Sequence, residues 1–133
     1  MTKKRKIIVT ILIVMLLTWL LGYCVPIHGP WSTGKIIYKV DYDEVSFEEP
    51  LTKEEMTAVI RILRRNRMEI PIGYTSGCMR ERGVAIIIDD TRYMLATDDC
   101  GTIFVENYGL IDISLEERSV LEAMFTSRGA EFP

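Results

Sequence analysis

The stretch Val84–Thr97, VAIIIDDTRYMLAT, carries the fold prediction. Its first part, Val84–Ile88, is apolar at every position, which is typical of a strand buried on both faces of a sheet. A second strand follows over Arg92–Thr97, and the short polar segment 89–91 between them predicts a tight hairpin. The sequence therefore predicts an antiparallel sheet with this hairpin at its centre.

Further strands flank the central hairpin on both sides. Alternation of apolar and polar residues predicts a strand over 35–42, a brief continuation at 45–47 and a second hairpin formed by 102–106 and 110–113. The segment Met68–Thr75 also alternates, but Pro71 lacks the N–H that a ladder needs. We expect that segment to be an edge strand or a bulge.

Two helices are predicted from their N-terminal capping boxes. Thr52 with Glu55 begins the first, and Ser114 with Glu117 begins the second. Helical spacing assigns their core-facing residues: Met56, Val59, Ile60 and Leu63 in the first, and Val120, Leu121, Met124 and Phe125 in the second. Gly129 stands where a helix end favours a left-handed residue.

The N-terminus predicts a membrane anchor. Residues Ile7–Val25 carry no charge over 19 positions, and four basic residues precede them. Such a helix reaches about 28 Å, close to the roughly 30 Å hydrocarbon layer, and the positive-inside rule sends the following chain outward. A cleaved signal peptide and acylation of Cys24 are the alternatives. A buried core helix is the least favoured interpretation, since the segment has no polar face.

The predicted fold class is thus α+β: an N-terminal transmembrane helix followed by a mainly antiparallel sheet packed with two amphipathic helices. The predicted domains are a cytosolic basic segment (1–6), a transmembrane signal-anchor helix (7–25), a linker (26–34) and an extracytoplasmic domain (35–133). The predicted location is the cell membrane, single-pass, with secretion as the outcome if the segment is cleaved.

Charge limits the partners. The chain has a formal net charge of −3, but its first four cations precede every acid, so the body has 12 basic and 19 acidic residues, or 12 − 19 = −7. Nucleic-acid binding needs a net basic surface or a clear basic stripe, so nucleic acid is not expected as the main partner.

The body cysteines, Cys78 and Cys100, are predicted to form a disulfide, because thiols outside the cytosol tend to pair. Two buried free thiols are the alternative. A catalytic cysteine is disfavoured, since His28 is the sole histidine and lies far along the chain from both. No metal site is predicted, because zinc-ligand spacing is missing.

The remaining candidates are two groups of charged residues. Arg61, Arg64, Arg65 and Arg67 crowd the end of the first predicted helix, where they either bind anions or offset the helix dipole. The acidic doublets at 89–90 and 98–99 suggest a cation site, but they lie at opposite ends of one strand, about 26 Å apart. Turn chemistry accounts for them without a ligand.

The motifs of the C-terminal half carry a resemblance. Ala96-Thr97-Asp98-Asp99-Cys100, the helix opening Ile113–Glu117 and the Gly…Phe-Pro ending, together with the basic-hydrophobic N-terminus, are similar to small membrane or secreted proteins of Gram-positive bacteria. The resemblance covers about Gly77–Pro133. It implies a bacterial envelope location and no activity.

The functional hypothesis is a non-enzymatic, membrane-anchored extracytoplasmic module that binds an envelope protein or peptide, with membrane lipid contacted through 7–25. Strand addition near Pro71 is one mode of binding. The alternative is an anion- or lipid-headgroup-binding domain that uses Arg61, Arg64, Arg65 and Arg67. An enzyme is the least favoured class, and no cofactor is predicted.

Overall fold

The computed structural model describes residues 2–24, 26–69 and 78–132, and within its first helix it describes side chains only as far as Leu20. Three helices and seven strands occur in these residues. In chain order they are α1 (Lys3–Cys24), β1 (Gly34–Tyr38), β2 (Phe47–Pro50), α2 (Lys53–Arg65), β3 (Met68–Glu69), β4 (Arg80–Ile88), β5 (Thr91–Ala96), β6 (Thr102–Val105), β7 (Gly109–Asp112) and α3 (Leu115–Thr126).

The strands form one antiparallel sheet in the order β2-β1-β4-β5-β6-β7-β3. The predicted central hairpin is confirmed, because Ile88 pairs with Thr91 across a two-residue turn. Asp89 and Asp90 both have positive φ, at 47° and 67°, as the usual two-residue hairpin turn requires. Turn chemistry thus explains this doublet.

Helices α2 and α3 cover one face of the sheet. Both predicted capping boxes are confirmed, at Thr52–Glu55 and Ser114–Glu117. The core between the helices and the sheet is a single cluster whose fully buried members include Ile36, Tyr38, Val84, Ile88 and Phe125. Gly129 has a φ of +99°, which agrees with the left-handed residue predicted after α3.

The core-facing residues predicted from helical spacing need correction in both α2 and α3. Val120 was predicted to face the core, but 42% of it is exposed, and Arg118 is buried instead. The Arg118 guanidinium donates to the carbonyls of Ala96 (3.0 Å) and Cys100, which gives a buried charge its partners. In α2, Ile62 is buried although it was left out of the predicted apolar face.

An arginine near the end of α3 joins the two helices. The Arg128 guanidinium donates to both carboxylate oxygens of Glu55 at 2.7 Å and to Glu49 at 2.8 Å. This pairing lowers the pKa of the Glu55 carboxyl from 4.5 to about 2, chiefly through the hydrogen bonds from Arg128. The start of α2 is thereby fixed against the end of α3.

The structure contradicts the predicted membrane anchor. In the part of the chain that the structure describes, no helix meets the length and apolarity needed to cross a membrane.

Two predictions are wrong on this account. The fold class was predicted to begin with a transmembrane helix, and the supported description is instead an α+β arrangement of a seven-stranded antiparallel sheet and three helices. The predicted single-pass location in the cell membrane, with an extracytoplasmic domain, conflicts with the same finding.

The predicted edge strand over Met68–Thr75 is only partly described. Its first two residues, Met68 and Glu69, form β3 at the edge of the sheet and pair with β7. Pro71 and the rest of that segment lie outside the described residues.

Candidate functional site

An open groove runs between the outer face of α2 and the segment that precedes β1. Its volume is about 1060 Å³. On the α2 side the rim carries Lys53, Arg61, Arg64 and Arg65, and on the other side lie Gly29, Pro30 and Ser32. Three of the four arginines predicted as an anion site therefore line one groove. Arg67 lies beyond the end of α2 and is not part of the lining.

Helix periodicity explains why these side chains share a rim. Arg61 and Arg65 are four residues apart, so their Cβ atoms lie about 5–6 Å from each other on the same side of α2. Lys53 stands two turns before Arg61 on that side. The opposite side of the helix is committed to the core through Val59 and Ile62. The cations consequently face away from the sheet.

In the described residues the groove arginines Arg61, Arg64 and Arg65 form no ion pair with a carboxylate. Arg67 and Arg80 form none either, whereas the following arginines do: Arg82 and Arg92 with Glu106, Arg118 with Glu122, and Arg128 with Glu49 and Glu55. Hydrogen bonds from Ser114 and Asn66 and, to a smaller extent, the charge of Arg65 lower the pKa of Glu117. Net positive charge therefore remains at this groove, with Arg65 partly offset by Glu117.

The second wall of the groove is the segment 28–32, and it is held in place by His28, the one histidine of the sequence. The side chain of His28 is 6% exposed. Its Nδ1 lies 3.1 Å from Asp89 Oδ2, and its Nε2 lies 2.5 Å from the Tyr93 hydroxyl. The His28 carbonyl accepts a hydrogen bond from Arg64 Nη2 at 3.1 Å. The wall is thus tied both to the central hairpin and to α2.

Asp89 is the acceptor on which this wall depends. Its carboxylate accepts from the Ser32 hydroxyl, from His28 and from the Thr33 amide at 3.2 Å. The hydrogen bond from Ser32, then those from His28 and Thr33, lower the pKa of Asp89, so the carboxylate is ionised at neutral pH. The Ser32 hydroxyl also accepts from the Gly29 amide at 3.0 Å, which closes the turn.

The arrangement of serine, histidine and aspartate does not form a nucleophilic triad. The ionised Asp89 accepts from Nδ1 of His28, and Nε2 of His28 lies at hydrogen-bond distance from the Tyr93 hydroxyl. Burial raises the pKa of the Tyr93 phenol. Ser32 donates to Asp89 and not to the imidazole, so the imidazole is not placed to activate it. The cluster positions the wall.

The two body cysteines form a disulfide. Cys78 and Cys100 lie at disulfide distance, with their Cα atoms 5.9 Å apart, which agrees with the predicted pair. With the Asp98 carboxylate, their sulfur atoms fall within 4.8 Å of one another, a spacing that a metal ion could use. The disulfide consumes both thiolates, and Asp98 accepts from the amides of Met79 (2.9 Å) and Cys100 (3.1 Å). This trio is structural.

Sequence reasoning missed the wall of the groove. It assigned His28 to a linker and Asp89 to a turn, and these residues are 61 positions apart. Neither has a motif around it. Ser32 and Thr33 come just before a predicted strand, but nothing in the sequence predicted which strand that one pairs with.

Comparison with known proteins supplies no family. No family model, curated protein or solved structure matches this chain.

Proposed function

We propose that this chain is a non-enzymatic binding module for an anionic ligand, which it holds in the groove between α2 and residues 28–32. The observation that carries the proposal is the cluster of cations on the rim of the groove. Neither Arg61 nor Arg65 forms an ion pair with a carboxylate among the described residues, although the body as a whole is acidic.

The chemistry of the rim suits phosphate or carboxylate. A guanidinium presents a planar fork of N–H donors that matches two oxygens of such a group, and these charge-assisted bonds are about twice as strong as neutral ones. Arg64 already uses one donor on the His28 carbonyl, so its remaining N–H groups are held at the groove. A phosphate monoester, a phosphodiester headgroup and a carboxylate share this chemistry.

Two other hypotheses have less support. Strand addition near Pro71 stays a prediction, since that segment lies outside the described residues. The opposite edge strand, β2, carries Glu48, Glu49 and Pro50, which are features that discourage edge pairing. A triad-type enzyme has less support because His28 bonds Asp89 and Tyr93, whereas Ser32 bonds Asp89 and not the imidazole.

The proposal can be tested with a tryptophan reporter in the full chain. Trp31 is 75% exposed, and its ring lies against Gly29 in the wall of the groove. Trp19→Phe leaves Trp31 as the single tryptophan. Titration with inorganic phosphate should change the Trp31 fluorescence saturably, and added sodium chloride should weaken the binding because it screens exposed charges.

A matched pair of variants distinguishes phosphate binding in the groove from a general effect of net charge. Arg61→Gln/Arg65→Gln should weaken phosphate binding about tenfold or more. Lys35→Gln/Lys39→Gln also removes two positive charges, but at lysines outside the groove that both pair with Glu48. Phosphate binding should be unchanged in this control. Equal losses in the two variants, or no saturable phosphate signal in the parent chain, would refute the proposal.

A further inference from the structure

The floor of the groove differs in character from its rim. The groove is also lined by the half-buried side chains of Met56 and Ile60, which are four residues apart on one side of α2, and by Pro30. These side chains offer carbon and sulfur surface and no charge. A bare inorganic anion on the rim leaves this surface in water, whereas a ligand with an apolar part removes it from water.

The charges are distributed unevenly along the groove, which orients a ligand. Lys53 and Glu54 line the end near the start of α2 and carry opposite charges, whereas Arg61, Arg64 and Arg65 line the other end. The net positive charge therefore lies at the last two turns, and an anionic head is attracted there. The apolar floor from Met56 to Ile60 covers about 6 Å along the helix axis, so it accommodates a short chain.

The dimensions agree with more than a simple ion. The groove volume of about 1060 Å³ is slightly above the roughly 300–1,000 Å³ typical of small-molecule sites, as expected for a groove that is open to solvent. A phosphate ion fills a small part of such a space. Met56, with its flexible thioether, is a residue type that adapts to apolar chains of varied shape.

We infer that the ligand of this groove is an amphiphilic anion: a phosphate or carboxylate head held by Arg61 and Arg65, with an alkyl chain lying over Met56 and Ile60. This inference rests on the proposed anion-binding function and specifies the chemical class of its ligand. The head faces the end of α2, and the chain points toward its start.

The experiment is a chain-length series read by Trp31 fluorescence in the full-length Trp19→Phe chain. Inorganic phosphate, ethyl, butyl, hexyl and octyl phosphate are titrated below their micelle-forming concentrations. Full burial of a methylene strengthens binding about fourfold, and in an open groove we expect about twofold for each methylene up to butyl or hexyl, then a plateau.

Two variants locate the chain. Ile60→Gln and, separately, Met56→Gln should lower the ratio of hexyl phosphate affinity to inorganic phosphate affinity toward one. The ratio is taken within each variant, so a change in head-group affinity cancels, and saturable phosphate binding by the variant shows that it is folded. The exposed apolar side chains of α1 also attract alkyl chains, so a gain that survives both variants would place the chain there and overturn the inference.

The outcomes separate this inference from the function on which it rests. Saturable phosphate binding with no gain along the series overturns the amphiphile and leaves anion binding standing. Failure of every probe to bind overturns both. A gain that grows to hexyl phosphate, is lost in Ile60→Gln and disappears with Arg61→Gln/Arg65→Gln supports the inference.

Discussion

Replacing Arg128 with methionine tests how strongly the two covering helices depend on one ion pair. Its guanidinium forms two parallel 2.7 Å bonds with Glu55, whose side chain is 17% exposed. The pKa of Glu55 falls from 4.5 to about 2 in the folded protein. A shift of that size corresponds to roughly 3 kcal/mol at most, and allowance for solvent screening reduces it to about 2 kcal/mol.

The expected result is a loss of about 2 kcal/mol in the free energy of unfolding at pH 7, measured by urea denaturation. For a domain of this size the thermal midpoint should fall by roughly 10 °C. Methionine keeps much of the apolar stem of arginine, so the loss reports mainly on the ion pair. Arg82→Met is the control, because Arg82 is 69% exposed in its pair with Glu106 and should cost less than about 0.5 kcal/mol.

The pH dependence of the stability difference shows whether the ion pair between Arg128 and Glu55 causes it. The Glu55 pKa is lower in the folded state, so its contribution is fully present above about pH 4.5 and disappears as the pH falls through about 2. The stability difference between the parent chain and Arg128→Met should shrink over that window. A difference that is equally large at pH 2 and at pH 6 would refute the assignment to charge pairing.

Three further changes test the groove wall, the sheet and the disulfide. Asp89→Asn should weaken phosphate binding severalfold in the Trp31 titration. Asp89 does not line the groove, but the change weakens its hydrogen bonds to Ser32 and Thr33, which hold the wall in place. Gly83→Ala should lower the free energy of unfolding in urea by about 2–4 kcal/mol, since its Cβ would lie 1.9 Å from the Lys39 carbonyl oxygen. Replacing Cys78 and Cys100 together by alanine should cost about 3 kcal/mol in the same assay and leave phosphate affinity unchanged; a parallel loss of affinity would contradict the separation of these two regions.

Features set by neighbouring residues could be predicted from the sequence. The capping boxes at Thr52 and Ser114 are patterns of four residues, and the turn at Asp89 and Asp90 depends on two. Their physical causes act over one turn of chain. They are therefore visible without any knowledge of the tertiary structure.

Features that depend on distant residues could not be predicted. The bond between His28 and Asp89 requires β1 to lie beside β4, and nothing local marks either residue. Burial of Arg118 in place of Val120 depends on carbonyls 18 and 22 positions away, those of Cys100 and Ala96. Periodicity favoured the apolar side chain because it takes no account of available acceptors.

The predicted membrane span rested on the uncharged stretch Ile7–Val25. Among the described residues no helix is long and apolar enough to cross a membrane, so that prediction is wrong.

The helix dipole offers a competing account of the arginines, and Arg61 is the residue that separates the two accounts. Cations at a helix C-terminus gain about 0.3–1 kcal/mol from the dipole, but this gain falls off within the last turn. Arg64 and Arg65 occupy that turn, while Arg61 lies one turn earlier. Its like-charged neighbour at i+4, Arg65, disfavours it by a few tenths of a kcal/mol. The dipole therefore does not account for Arg61, and an anion bound at the proposed site would supply the compensation that the described residues do not.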